Sequence, residues 1–184
     1  MLKLNLGCWK RKLPKFTNVD ICNLPGVDYV RNIDDLSCFD DATVELIYAS
    51  HCFEYFDREK GAHVLKEWKR VLASGGTLRI AVPDFEKIIK AYKFFGDINR
   101  TLGLLYGKMQ IDTVNGSKTI YHKTVYDFDS LKEMLEAAGF VNVRRYDWKQ
   151  TIHKDYDDHS QAYIPHMDKE NGVLMSLNVE ADKP

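Results

Sequence analysis

The stretch Glu67–Phe85, EWKRVLASGGTLRIAVPDF, constrains the fold more than any other part of this chain. Upstream of its Gly75-Gly76 turn, Val64, Leu65, Trp68, Val71 and Leu72 recur at three- and four-residue spacing. That is the stripe of a helix with one buried face, running from Asp57 to Leu72. Asp57 suits the N-cap and Gly75 lies just past the end. Downstream, Thr77–Val82 reads as a strand that stops at Pro83.

Other strands fit this unit. Leu2, Leu4 and Leu6 alternate into Gly7. Thr17–Ile21 and Val27–Arg31 follow, and Val44–Ala49 is more continuously apolar, as a strand buried on both faces should be. Phe140–Trp148 and Val173–Ala181 read as two closing strands. Two further helices precede these closing strands. One begins near Asp84, with Phe85, Ile88, Ile89, Tyr92 and Phe95 on one face and Gly96 at its stop; that face is assigned to the core, as is Trp68. The other reads SLKEMLEAAGF. Ser130 and Glu133 have capping-box spacing, Leu131, Met134, Leu135 and Ala138 point inward, and Gly139 ends it. Strands alternating with helices predict a parallel α/β sheet covered on both sides. Residues 96–128 and 149–171 are weakly patterned and read as insertions on the substrate side of a single 1–184 domain.

Composition narrows the class. The chain has 184 residues, with 26 Lys and Arg against 27 Asp and Glu, 45% apolar and 29% charged. This composition excludes a disordered chain and a globally basic nucleic-acid coat. No apolar run approaches the roughly 18 residues of a membrane span. The N-terminal apolar run is too short for a signal peptide, so a cytoplasmic location is expected. Cys8, Cys22, Cys38 and Cys52 contain no C-x-x-C pair and each follows a predicted strand, which favours free thiols over a zinc cluster. The polar run containing His153, Asp155, Asp157, Asp158, His159 and His166 matches no chelate on one helix face, and no metal is expected.

Ligands of such sheets bind beyond the carboxyl ends of the strands. The residues to read are therefore Gly7–Trp9, Asp20–Cys22, Asn32–Leu36, Ser50–Glu54 and Pro83–Phe85. In order, these are LNLGCW, an acidic residue in NVDI, the turn RNIDDL, the polar turn in VELIYASHCFEYF, and the helix–turn–strand segment above. Their succession resembles the class I S-adenosylmethionine-dependent methyltransferases over about residues 2 to 146. The resemblance implies a Rossmann-like, doubly wound, mostly parallel seven-stranded sheet of order 3-2-1-4-5-7-6 with an antiparallel last strand. It also implies S-adenosylmethionine as cofactor, bound by Leu6, Gly7, Cys8, Trp9, Asp20, Ile21, Asn32, Ile33, Asp34, Ser50 and His51.

Physical chemistry gives those positions their roles. An Asp20 carboxylate would accept both ribose hydroxyls, and Gly7 would let backbone approach the methionine part. Asn32 stands where the family often has Asp, and its amide offers donor and acceptor to an adenine edge, with backbone at Ile33 and Asp34. The family's G-x-G is here Gly7-Cys8-Trp9. Only 13 positions separate Gly7 from Asp20, and Pro14 disfavours a helix there, so the first crossover helix is vestigial or missing. Lys10, Arg11 and Lys12 fill that gap, and one of them is a candidate for the cofactor carboxylate, against the alternative of a solvated basic loop.

Methyl transfer from a sulfonium depends mainly on alignment and desolvation, and needs a base only when the acceptor must lose a proton. His51 and His122 are the catalytic candidates, each against the alternative of a loop histidine. Glu54 either braces His51 or caps the next helix, and Asp84 reads as an N-cap. The turn ASHCF is not the [DN]-P-P-[FY] turn of DNA amino-methylating enzymes, so no DNA substrate is expected. The leading expectation is a methyltransferase for a small-molecule acceptor. The alternative is a non-catalytic, nucleoside-binding or scaffold protein of the same fold. A nicotinamide enzyme ranks third, because G-x-G-x-x-G is absent.

Overall fold

A computed structural model describes residues 1–184. Its central sheet begins with strands β1 (Leu2–Leu6), β2 (Thr17–Asp20), β3 (Tyr29–Val30) and β4 (Val44–Ser50). Helix α1 (Arg58–Val71) leads into β5 (Leu72–Pro83), then α2 (Phe85–Phe95) and the short α3 (Leu102–Tyr106). A hairpin of β6 (Met109–Thr113) and β7 (Gly116–Ile120) follows, then α4 (Phe128–Ala137) and β8 (Val141–Arg145). Two-residue strands β9 (Tyr163–Ile164) and β10 (Val173–Leu174) precede β11 (Ser176–Asp182).

The sheet order is β3-β2-β1-β4-β5-β11-β8. Neighbours are parallel through β5, and β11 runs antiparallel to both β5 and β8. Counting only strands of this sheet, that is the implied order 3-2-1-4-5-7-6.

Alternation along each strand divides the sheet into two unlike faces. Leu4, Leu6, Ile47, Ala49, Leu78, Ile80, Leu177 and Val179 join one apolar core with Leu65 and Trp68 of α1 and Leu131 and Leu135 of α4. The opposite face is polar. It carries Asn5, Tyr48, Arg79, Asn178 and Glu180, including an Arg79–Glu180 ion pair at 2.8 Å. No helix covers it, because Gly7–Phe16 holds none, as the short first crossover predicts. Hydrogen bonds hold its cover instead. Asn5 donates to the Arg11 carbonyl and to Asn18, which accepts from Leu13 N–H, drawing the first loop onto the sheet. Residues 149–171 close the rest: the Tyr48 hydroxyl donates to Asp158 at 2.6 Å, and Asn178 donates to the Ser160 carbonyl.

Several local expectations change. The third strand shrinks from Val27–Arg31 to two residues, because Leu24–Val27 is taken up by a turn. β5 starts at Leu72, directly after α1, and Gly75-Gly76 lies inside it at a register shift against β4. The α4 capping box is Asp127 with Ser130, not Ser130 with Glu133, since Phe128 and Asp129 already lie in the first turn. The α2 stripe is not core: only Ile88 is buried, while Tyr92 is 47% exposed, because α2 leaves the sheet and adds nothing to the central cluster. The weakly patterned polar run at His153 packs on the sheet: His153, Asp158, Ser160 and Gln161 are buried against it.

Candidate active site

Four strand ends meet above the sheet. Past β1, Gly7 turns at φ 66°, and its N–H and that of Cys8 donate to the Val19 carbonyl. A Cβ at Gly7 would lie 2.5 Å from the Cys52 Cβ, so no larger residue fits this turn. Trp9 occupies the second-glycine position at φ 38°. Asp20, buried at the end of β2, pins this loop by accepting from Trp9 N–H at 2.7 Å and Cys22 N–H at 2.8 Å. Beyond β3, the Trp68 indole of α1 donates to the Ile33 carbonyl at 2.7 Å, fixing the Asn32–Asp34 bend from the core side. Lys60 pairs with Asp34 at 2.8 Å. After β4, His51 takes φ 50°, and its N–H donates to the Ala81 carbonyl.

These ends enclose a cavity of about 610 Å³, within the usual range for small-molecule sites. Of the residues singled out for the cofactor, Gly7, Trp9, Asp20, Ile21, Asn32, Ile33, Asp34 and His51 line it together. Leu6 does not: it is core, and only its carbonyl reaches this region, accepting from the Cys52 thiol. Cys8 and Ser50 line a neighbouring recess of about 50 Å³. Lys10, Arg11 and Lys12 are also absent from the cavity wall, because the Asn5 and Asn18 contacts pull their loop away. Lys10 lies over the Trp9 ring at 4.7 Å, and Arg11 lines the small recess.

The far wall is the β6–β7 hairpin, through Met109, Ile111 and Lys118–Ile120, with Tyr121 and Lys123 beyond it. Sequence reasoning placed an insertion here without its form. The Asn115-Gly116 dipeptide is the local signal that was missed. Cys52, Tyr55, Phe56 and Lys60 were also missed as lining. Tyr55 and Phe56 sit in and just after a 3-10 turn, and Lys60 sits in the first turn of α1, which strand-end reading passes over.

Behind His51 is an unusual polar centre. Glu54 is fully buried, and neither carboxyl oxygen has a hydrogen-bond partner. His51 Nδ1 lies 3.4 Å from its Oε1, and His122 Nε2 lies 3.6 Å from the same atom. His122 does not line the cavity; its ring sits behind Glu54, edge-on to Tyr55. Burial raises the Glu54 carboxyl to about 8. Burial lowers both histidines, His51 also through the neighbouring His159 and His122. Asp84, proposed as an N-cap, accepts from Glu86 and Lys87 N–H and pairs with Arg145 at 3.5 Å.

The wall suits an adenosyl group on its own chemistry. A carboxylate has about four lone-pair sites. Asp20 spends two on Trp9 and Cys22, and it still borders the cavity beside the apolar side chains of Ile21 and Ile33.

Residues 9–80 match the family described as "Methyltransferase domain". No curated protein matches the chain. Among solved structures, the chain is similar to an S-adenosylmethionine-dependent methyltransferase from Methanosarcina mazei (17% identity, TM-score 0.59, covering 98% of this chain and 91% of that one). It is also similar to a possible histamine N-methyltransferase from Thermotoga maritima (13%, TM-score 0.61, 100% and 82%). A third is the 1,6-didemethyltoxoflavin N1-methyltransferase of Burkholderia thailandensis, with its substrate and S-adenosylhomocysteine bound (14%, TM-score 0.54, 99% and 70%). Residues 9–80 thus match a methyltransferase-domain family, and the whole chain shares the 3-2-1-4-5-7-6 fold of solved S-adenosylmethionine-dependent methyltransferases.

Proposed function

We propose that this protein transfers a methyl group from S-adenosylmethionine to a small-molecule acceptor. The observation that carries the reading is the 610 Å³ cavity, walled by the strand ends on one side and the β6–β7 hairpin on the other. In this reading Asp20 accepts the ribose hydroxyls. Asn32 and the backbone of Ile33 and Asp34 meet the adenine, and Gly7 gives close backbone approach. The chain is one methyltransferase-like domain in which residues 96–128 are the substrate-side cover and 149–171 close the polar face. A net charge of -1 fits a small acceptor better than a nucleic acid. No helix is long and apolar enough to cross a membrane. The four free cysteines accord with the reducing cytoplasm we assign to it.

The cofactor, when bound, supplies an activated methyl group, so the chain's task is to exclude water and align. The hairpin supplies the exclusion and His51 the nearest polar ring. His51 orients rather than deprotonates, because Ser176 takes up its Nε2 at 3.0 Å and its Nδ1 lies 3.4 Å from the buried Glu54 carboxyl.

Calorimetry with S-adenosylmethionine and S-adenosylhomocysteine tests this reading. Both should bind, and Asp20→Ala should weaken binding by roughly 1.5–3 kcal/mol, the worth of charge-assisted hydrogen bonds. Radiolabelled methyl transfer to a metabolite panel then identifies the acceptor. Absence of binding by either compound would overturn the proposal.

A further inference from the structure

Glu54 lies between two imidazoles whose proton positions are fixed from outside. The Ser176 hydroxyl donates to Asn178 Oδ1 at 2.9 Å, and the Asn178 amide faces the other way, donating to the Ser160 carbonyl. Ser176 Oγ therefore has only lone pairs left for His51 Nε2, 3.0 Å away, so His51 carries its hydrogen on Nε2. His122 Nδ1 faces the Leu104 carbonyl at 3.2 Å, and a carbonyl only accepts, so His122 carries its hydrogen on Nδ1. Both remaining nitrogens, His51 Nδ1 and His122 Nε2, are bare and lie 3.4 and 3.6 Å from Glu54 Oε1. An ionised Glu54 would set lone pairs against lone pairs in a fully buried site. The cluster must hold a proton to be satisfied.

No lysine or arginine pairs with Glu54, although Lys60, Lys118 and Lys123 line the cavity. Cys52 and Tyr55 flank Glu54 in the chain, and Tyr126 faces it from the segment ahead of α4, with Arg58 on the Tyr126 ring. Asp20 adds negative charge toward Cys52 from β2, and His159 packs on His51 at 5.5 Å. On its cavity side, Glu54 has one side-chain layer, His51 with Cys52 and Tyr55, between it and the ligand.

We propose that the His51–Glu54–His122 cluster holds one proton while the cavity lacks a cationic ligand and releases it when a sulfonium enters, so that Glu54 becomes the buried counter-charge of the cofactor. This rests on the function proposed above. Glu54 then acts as a positioning residue with a charge that follows the reaction. As the acceptor–methyl bond forms, the sulfur–methyl pair stays on sulfur and the positive charge disappears. Glu54 regains a proton as the acceptor loses one, and charge balances throughout. A thioether product has no such claim on the carboxylate, so the cluster favours substrate cofactor over spent cofactor.

The test needs no acceptor. Titration calorimetry near pH 7 in buffers of different ionisation enthalpy counts protons exchanged on binding. S-adenosylmethionine should release close to one proton more than S-adenosylhomocysteine. Glu54→Gln should abolish that difference while both compounds still bind. In the unaltered protein, the affinity ratio of the two compounds should rise with pH, approaching tenfold per unit below the titration of the cluster. Equal proton counts with a pH-independent ratio would overturn the inference while leaving the cofactor site standing. Failure of both compounds to bind would instead remove the functional reading on which it rests.

Discussion

Trp9 takes φ 38°, a region that glycine enters freely and a bulky residue enters only under strain of about 1–3 kcal/mol. The hydrogen bond from its N–H to Asp20 holds it there. The strained side chain forms part of the cavity wall, whereas Trp68 is core and Trp148 is buried away from the cavity. Ligand binding should therefore change tryptophan emission through Trp9 alone. S-adenosylhomocysteine should shift the fluorescence of the unaltered protein, and Trp9→Phe should lose most of that shift while retaining calorimetric binding. An undiminished shift in the variant would place the ligand elsewhere. At this scale the strand-end positions are the legible ones. Gly7, Asp20 and the Asn32 bend converge because each ends a strand of one sheet. Lys10–Lys12 stand off the main cavity, and nothing local announces that Asn5 and Asn18 pull their loop aside.

Elements were legible in proportion to their periodicity. The α1 stripe and the five framework strands of the first half carry strong alternation or 3–4 spacing, and their positions hold to within a few residues. The hairpin and the 149–171 cover do not, because their partners lie far along the chain: Tyr48 meets Asp158 across 110 positions. The start of α4 was displaced for a different reason, two overlapping caps. Asp127 accepts from Ser130 N–H at 2.9 Å, and Ser130 Oγ accepts from Asp127 N–H. Asp127→Ala should therefore cost about 1 kcal/mol in denaturant unfolding, and Glu133→Ala much less. Equal losses would restore the downstream cap.

For the molecule as a whole, burial of Glu54 makes stability depend on pH. Its carboxyl rises from 4.5 to about 8 on folding, so the folded state keeps a proton that the unfolded chain has lost. Stability then falls as pH rises between those values, at up to about 1.4 kcal/mol per unit. His153 acts oppositely: burial lowers it to about 4, and stability is lost as pH falls below its ordinary value of 6.5. The two oppose each other in acid, leaving Glu54 dominant from about pH 6.5 to 8. Urea unfolding across that interval should show a decline of roughly 2 kcal/mol, removed in Glu54→Gln. Above pH 9.0 the buried thiols of Cys8 and Cys22, both raised by burial, continue the decline in either protein.

The two ends of the sheet are finished differently, and each finish limits what the molecule can join. β3 contributes only two residues, and β8 carries Arg144 and Arg145, with Arg144 tied to Glu180 and Asp182, at a register shift against β11. Neither margin presents a long flat rail of free amides and carbonyls, the template on which strands of neighbouring copies polymerise. A sheet helix-clad on one side only thus stays out of fibrils through its borders, and lengthening β3 would be the change that exposes it.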